Sequence, residues 1–158
     1  MKKFTEVIPL LPTDNRTPTD VLFEKGYQMD TTLGKGGYGI VYKVKFEDKV
    51  FACKVISFEK HNRSRLLDHL KTEIFIMERY PHPNIINIMD HFIIDKNAYI
   101  IMEFADAGSI ADMVEHHGHI LESKCNTLFV QMLKGIIYLH SCHIAHRYYF
   151  HFLKIENN

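Results

Sequence analysis

The sequence predicts an α+β fold, a small antiparallel sheet of five strands with one helix inserted, followed by helices. Three observations predict it. Residues 27–56 hold three short β-rich runs in quick succession, with no room for the crossover helices that parallel pairing would need. Residues 63–79 then place apolar side chains at helical spacing, and two more strand-like runs follow at 85–94 and 98–104. Beyond residue 108 the pattern is helical again, to residue 141.

Each element has its own signal. Residues 1–22 are rich in Pro, Thr and Asp (Pro9, Pro12, Thr13, Asp14, Thr17, Pro18, Thr19, Asp20) and read as a flexible lead-in. The first strand, near 27–33, meets a glycine-rich turn. The second alternates Val41, Lys43 and Lys45 against Tyr42, Val44 and Phe46. A turn at Glu47-Asp48-Lys49 leads to the third, Val50-Phe51-Ala52-Cys53-Lys54-Val55-Ile56. The helix over 63–79 stops at Pro81 and Pro83. Asp95-Lys96-Asn97 turns the chain between the last two strands. Ser109 can cap a short helix, with Asp112 three residues on and Gly118 as its end. A longer helix over 123–141 presents Phe129, Met132, Leu133, Ile136, Ile137 and His140 as one face. The expected organisation is a lead-in over 1–22, a sheet lobe over 23–104, and the start of a helical lobe over 105–158.

Composition narrows the classes. At 158 residues, with 46% apolar and 24% charged residues, the chain can bury a core. A formal net charge of zero gives no electrostatic case for nucleic acid or an anionic membrane. The start MKKFTEVIPLLP is interrupted by Pro9 and too short for a secretory apolar run, and nothing approaches a membrane span. Cys53, Cys125 and Cys142 are dispersed without a CxxC pair, which suggests reduced thiols and a cytoplasmic protein. The histidine groups His116, His117, His119 and His140, His143, His146 lack a recognisable zinc spacing.

The chemistry-bearing pattern begins at Leu33-Gly34-Lys35-Gly36-Gly37-Tyr38-Gly39-Ile40-Val41. A dinucleotide site would follow such glycines with a helix and, about 20 residues on, an acid. Here an alternating strand follows, and Lys54 stands at that distance. No Gly-Lys-Ser/Thr closes a Walker A loop. Spacing alone leaves a ligand-free glycine hairpin open. Lys54 lies in an otherwise apolar run, where an ammonium group either seeks a partner or snorkels to the edge. Leu66, Leu70, Glu73 and Met77 fall on a single helical stripe, so Glu73 faces inward and needs a cation.

In this order the motifs resemble a eukaryotic-type protein kinase. The glycine turn is similar to the family's phosphate-covering hairpin, and Ala52-Cys53-Lys54 to its Val-Ala-Ile-Lys. Glu73 is similar to its helix glutamate, and His82-Pro83-Asn84-Ile85-Ile86 to the loop after that helix. Tyr99-Ile100-Ile101-Met102-Glu103-Phe104 resembles the hinge strand, and Gly108-Ser109-Ile110 the turn beyond it. Tyr138-Leu139-His140-Ser141 through Ile144-Ala145-His146-Arg147 resembles the approach to the catalytic loop. Lys154 resembles the serine/threonine class. Glu24-Lys25-Gly26-Tyr27 and the closing Lys-Ile-Glu-Asn resemble calmodulin-kinase-like branches, including testis-specific serine kinases.

The resemblance implies an N-terminal kinase lobe, the first helices of a C-terminal lobe, and ATP with Mg2+ as cofactors. It implies that Leu33 belongs to the nucleotide site, that Gly34, Gly36 and Gly39 let backbone amides approach the phosphates, and that Val41 and Ala52 wall the adenine. Lys54, positioned by Glu73, would hold the α and β phosphates. The backbones of Glu103 and Ala105 would meet the adenine edge, with Met102 behind. His146 would pack internally, and Arg147 in the family often receives an activation-loop phosphate. Protein Ser/Thr side chains would be the substrate.

The same comparison implies a defect. The aspartate expected after Arg147 is replaced by Tyr148-Tyr149-Phe150-His151-Phe152, and the sequence ends at Asn158 before any Asp-Phe-Gly. Lys154 and Asn157 then stand as remnants of the catalytic loop, Asn157 as a remnant magnesium ligand. A phenol is neutral near pH 7 and cannot replace the carboxylate. Loss of a general base typically costs a factor of about 10²–10⁴. The expectation is a chain without phosphotransfer activity. Three readings stay open: an incomplete copy of a working serine/threonine kinase, a pseudokinase that binds nucleotide or a kinase's partners, and a non-functional product. An apolar face on the helix over 123–141 would be exposed and open to chaperones or other partners.

Overall fold

The computed structural model describes residues 16–37, 39–59, 63–106 and 110–145. Expectations for residues 1–15, for the Ser109 cap and for residues 146–158 lie outside them. The chain divides into two compact units. One comprises residues 1–74 and 88–104, the other residues 75–87 and 105–158.

In the first unit, α1 (Pro18–Glu24) precedes β1 (Gln28–Gly36), β2 (Gly39–Phe46) and β3 (Lys49–Ser57). Helix α2 (Arg63–Arg79) starts here, and β4 (Ile88–Ile94) and β5 (Asn97–Glu103) complete a five-stranded sheet. The order is β1-β2-β3-β5-β4, every neighbouring pair antiparallel. Two-residue connections close the hairpins. Glu47 and Asp95 sit at their turns with φ of 52° and 55°, a left-handed conformation that short acidic side chains tolerate better than branched ones.

Strand alternation gives the sheet two covered faces. On one, Val44, Cys53, Val55, Tyr99 and Ile101 pack with Val21 and Leu22 of α1. On the other, Ile56, Ala98 and Ile100 pack with Leu66, Leu70 and Ile74 of α2. All four members of the expected α2 stripe, Leu66, Leu70, Glu73 and Met77, are buried.

Helix α1 corrects the expected lead-in over 1–22. Thr17 caps it: its hydroxyl accepts from the Asp20 amide while the Asp20 carboxylate accepts from the Thr17 amide, a reciprocal box that satisfies two otherwise orphaned donors. Gly26, at φ 86°, ends it. The Tyr27 amide reaches back to the Leu22 carbonyl at 2.8 Å and the Gly26 amide to Phe23 at 2.9 Å, a Schellman closure. Val21 and Leu22 are the reason it stays, since both are almost wholly removed from water.

Strand β4 starts at Ile88, later than the expected residue 85. A turn intervenes, in which the Ile85 amide donates to the His82 carbonyl at 2.9 Å and the Asn84 amide to His82 Nδ1 at 3.0 Å.

The second unit holds the end of α2, α3 (Ile110–His117) and α4 (Glu122–Ser141). Ile76, Ile85 and Leu139 form its core, with Tyr80, Tyr138 and Ile144 packed against them. His82 stacks on Tyr138 with centroids 4.9 Å apart. The buried stripe of α4 is Leu128, Gln131, Gly135 and Leu139, which corrects the expected face. Phe129, Leu133 and Ile137 are exposed, and Met132 and Ile136 are half-buried. A polar pair belongs to that stripe: Asn84 Nδ2 donates to Gln131 Oε1 at 3.1 Å, with both residues buried. No described helix is long and apolar enough to cross a membrane.

Candidate functional site

The site lies on the face of the sheet that α2 covers. Residues directly opposite in an antiparallel pair share a face. Val41 pairs with Lys54, which pairs with Ile100; Lys43 pairs with Ala52, which pairs with Met102. Ile100 packs against α2, so Val41, Lys43, Ala52, Lys54 and Met102 all belong to that face.

Helix α2 brings Glu73 to it. Lys54 Nζ donates to Glu73 Oε1 at 2.9 Å, with the two side chains 17% and 9% exposed. The pair is charge-assisted and largely desolvated, and so is stronger than a surface ion pair. Each partner keeps the other from being a lone buried charge. The result is an ammonium held at a fixed position on the sheet, able to meet an anion.

The glycine hairpin is its neighbour in the sheet, since Val41, the partner of Lys54, also pairs with Gly34. Gly36 pairs with Gly39, and Gly34 with Val41. The glycines divide into two kinds. A Cβ on Gly39 would overlap the Val55 carbonyl oxygen of β3, so this glycine is required by strand packing. A Cβ on Gly34 or Gly37 would meet nothing within 4 Å, and one on Gly36 only the Gly39 carbonyl oxygen at 4.0 Å. The fold does not demand those glycines. They leave backbone amides open to approach, as a phosphate chain requires.

Leu33 is exposed on β1, Met102 and Glu103 are half-buried at the end of β5, and Ala105 follows in the second unit. His146, Arg147, Lys154 and Asn157 lie outside the described residues. Lys43 was not singled out in the sequence. Its ammonium lies 3.7 Å from Asp30 Oδ2 and 5.3 Å from the centroid of the Phe104 ring. The alternation that put it beside Val41 was the available signal.

Cys53, next to Lys54 but on the opposite face, is inert: burial pushes its thiol up to about 12, so it stays protonated. Among the described residues no three His, Cys, Asp or Glu side chains converge as metal ligands. His116 and His117 turn their Nδ1 atoms to the Asp112 and Met113 carbonyls of α3, at 2.7 and 3.1 Å.

A five-stranded antiparallel sheet with a glycine-rich β1–β2 hairpin and a Lys–Glu pair drawn from strand and helix is the arrangement of the N-terminal lobe of the protein kinase fold. The family model for the protein kinase domain matches residues 27–157, and the chain belongs to that family. Its relatives are serine/threonine kinases. It is 34% identical over 142 residues to testis-specific serine/threonine-protein kinase 3 of Mus musculus, covering 87% of this chain and 51% of that protein. It is 33% identical to calcium-dependent protein kinase 5 of Plasmodium berghei, covering 78% of this chain and 22% of the relative. The same identity relates it to NUAK family SNF1-like kinase 1 of Homo sapiens, over 83% of this chain and 20% of the relative. The chain thus spans about half or less of these relatives.

Proposed function

We propose that this chain is the nucleotide-binding portion of a serine/threonine protein kinase, and that it binds ATP without itself transferring the γ-phosphoryl group. The observation that carries the reading is the 2.9 Å Lys54–Glu73 pair, in register through Val41 with a glycine hairpin whose Gly34 and Gly37 face open space. In this reading Lys54 meets the α and β phosphates and Glu73 positions it. The amides around Gly34 and Gly36 cover the phosphate chain, Val41 and Ala52 wall the adenine, and the Glu103 backbone meets its edge.

Inactivity rests on Tyr148, which follows His146-Arg147 where the family has an aspartate. Phosphoryl transfer is positioning and charge neutralisation, and a neutral phenol supplies neither a proton acceptor nor a metal ligand of the carboxylate type. Asn157, the candidate magnesium ligand, lies outside the described residues, and no step is assigned to the metal. A reducing, cytoplasmic setting accords with Cys53, Cys125 and Cys142, all free thiols. Kinase partners or chaperones are candidates for the apolar side of α4, where Phe129 and Ile137 are 59% and 63% exposed.

The test is phosphotransfer by the purified chain onto a generic serine/threonine peptide with labelled ATP and Mg2+. The reading predicts ATP-dependent thermal stabilisation with no labelled peptide. Magnesium-dependent labelling that disappears in Lys54→Met would overturn the inactivity. Failure of ATP to stabilise the chain at any concentration would overturn the binding.

A further inference from the structure

On the sheet face opposite Lys54, the chain carries chemistry that nucleotide binding does not use. Thr17 is exposed, its backbone is extended (φ −75°, ψ 160°), and Pro18 follows it. Proline restricts the residue before it to that extended region. Of all the Ser and Thr residues in the sequence, Thr17 alone precedes a proline. Thr19 is also exposed, but Asp20 rather than a proline follows it.

The Thr17 hydroxyl is a working part of the local structure. Its Oγ1 donates to Asp20 Oδ2 at 2.7 Å and accepts from the Asp20 amide at 3.3 Å. Beside it, the Arg16 guanidinium bridges Glu24 at 3.0 Å and Asp95 in the β4–β5 turn at 3.3 Å. Pro18 in turn forms part of the wall of a cavity of about 310 Å³, whose other walls include Gly36, Gly37 and Gly39 of the glycine hairpin and Tyr42 and Val55 of the sheet. The start of α1 therefore faces the hairpin across this cavity, on the side of the sheet away from Lys54.

We propose that Thr17 is a phosphorylation site for a separate proline-directed serine/threonine kinase, and that the modification unlatches α1 from the sheet behind the glycine hairpin. The transfer uses ATP: a P–O bond forms to Thr17 Oγ1 as the γ-phosphorus bond to the bridging oxygen breaks. ADP leaves, and the hydroxyl proton passes to the modifying kinase's base and then to solvent. The esterified oxygen can no longer donate to Asp20. A group of charge near −2 then stands beside the Asp20 carboxylate, while the neighbouring Arg16 is already paired with Glu24 and Asp95. The phosphate also competes for Arg16, the cation that ties α1 to the β4–β5 turn. A helix of seven residues has little stability of its own and depends on that latch and on Val21 and Leu22.

The experiment treats the full 158-residue chain with a purified proline-directed kinase and Mg·ATP, followed by fragment mass spectrometry and thermal denaturation. The proposal predicts a single phosphate on Thr17, absent in Thr17→Val and in Pro18→Ala, and retained in Thr17→Ser. It further predicts that the phosphorylated chain melts about 2–4 °C lower and exchanges its α1 amides faster. Pro18→Ala keeps the hydroxyl and the cap, so its loss of labelling is not a folding effect. No phosphate at Thr17, or a phosphorylated chain whose melting temperature is unchanged or raised, would overturn it.

Discussion

At Gly39 the sheet leaves no space for a side chain, because a Cβ there overlaps the Val55 carbonyl oxygen. Gly39→Ala must push β2 off β3, and urea denaturation should show a loss of about 1–3 kcal/mol. Gly34→Ala meets nothing within 4 Å, so stability should hold while ATP affinity falls. Equal effects of the two substitutions on stability would contradict this division. At the end of α4 the reverse economy applies. His143 holds φ 60° in a Schellman closure, with the Ile144 amide on the Leu139 carbonyl at 2.9 Å and the His143 amide on the His140 carbonyl at 3.0 Å. A glycine is the residue suited to that conformation, so His143→Gly should stabilise by about 0.5–1 kcal/mol in the same measurement.

Among the elements, α1 and α4 show what the sequence displayed and what it hid. The five strands and α2 were legible because alternation and a single apolar stripe with Glu73 left few other solutions. Helix α1 was read as lead-in because seven residues give too short a window for periodicity. Its signals were chemical: Thr17 three residues before Asp20, Pro18 at the first helical position, and Gly26 after the last turn. On α4 the apolar residues surround much of the helix, so their count could not choose a face. The buried face carries Gln131, whose partner Asn84 lies 47 residues away and gives no local signal. The Lys54–Glu73 pair was legible because both charges occupied apolar settings, whereas Lys43, half-buried on the interior strand β2, shares its alternation with the exposed Lys45 and does not stand out.

Two consequences belong to α1. Leu22→Ala removes a fully buried side chain and should cost about 2–5 kcal/mol. Asp20 carries a pH signature as well. The Thr17 hydroxyl and amide hydrogen bonds hold its carboxyl below the usual value of 3.8. The cap's contribution is therefore fully present above that value and is lost as pH falls through the lowered one. Amide exchange over α1 should accelerate in that acidic window, and Asp20→Asn should flatten the response.

For the whole molecule, the two units carry different duties. The first holds a complete core on both sheet faces and the Lys54 site. The second leaves Phe129, Leu133 and Ile137 of α4 in water, a surface more suited to a covered helix than to a free one. Substituting Leu133 and Ile137 by Lys should raise the soluble yield without changing ATP affinity, since neither residue belongs to the unit with the glycine hairpin.

Under the proposed function, Lys54 held by Glu73 makes this chain an ATP binder. The most direct measurement is calorimetric titration of ATP into the purified 158-residue chain and into Lys54→Ala. The account predicts saturable binding at one site in the native chain and at least a tenfold loss of affinity in the variant, about 1.4 kcal/mol. Absence of binding to the folded native chain, or equal affinity in Lys54→Ala, would contradict it.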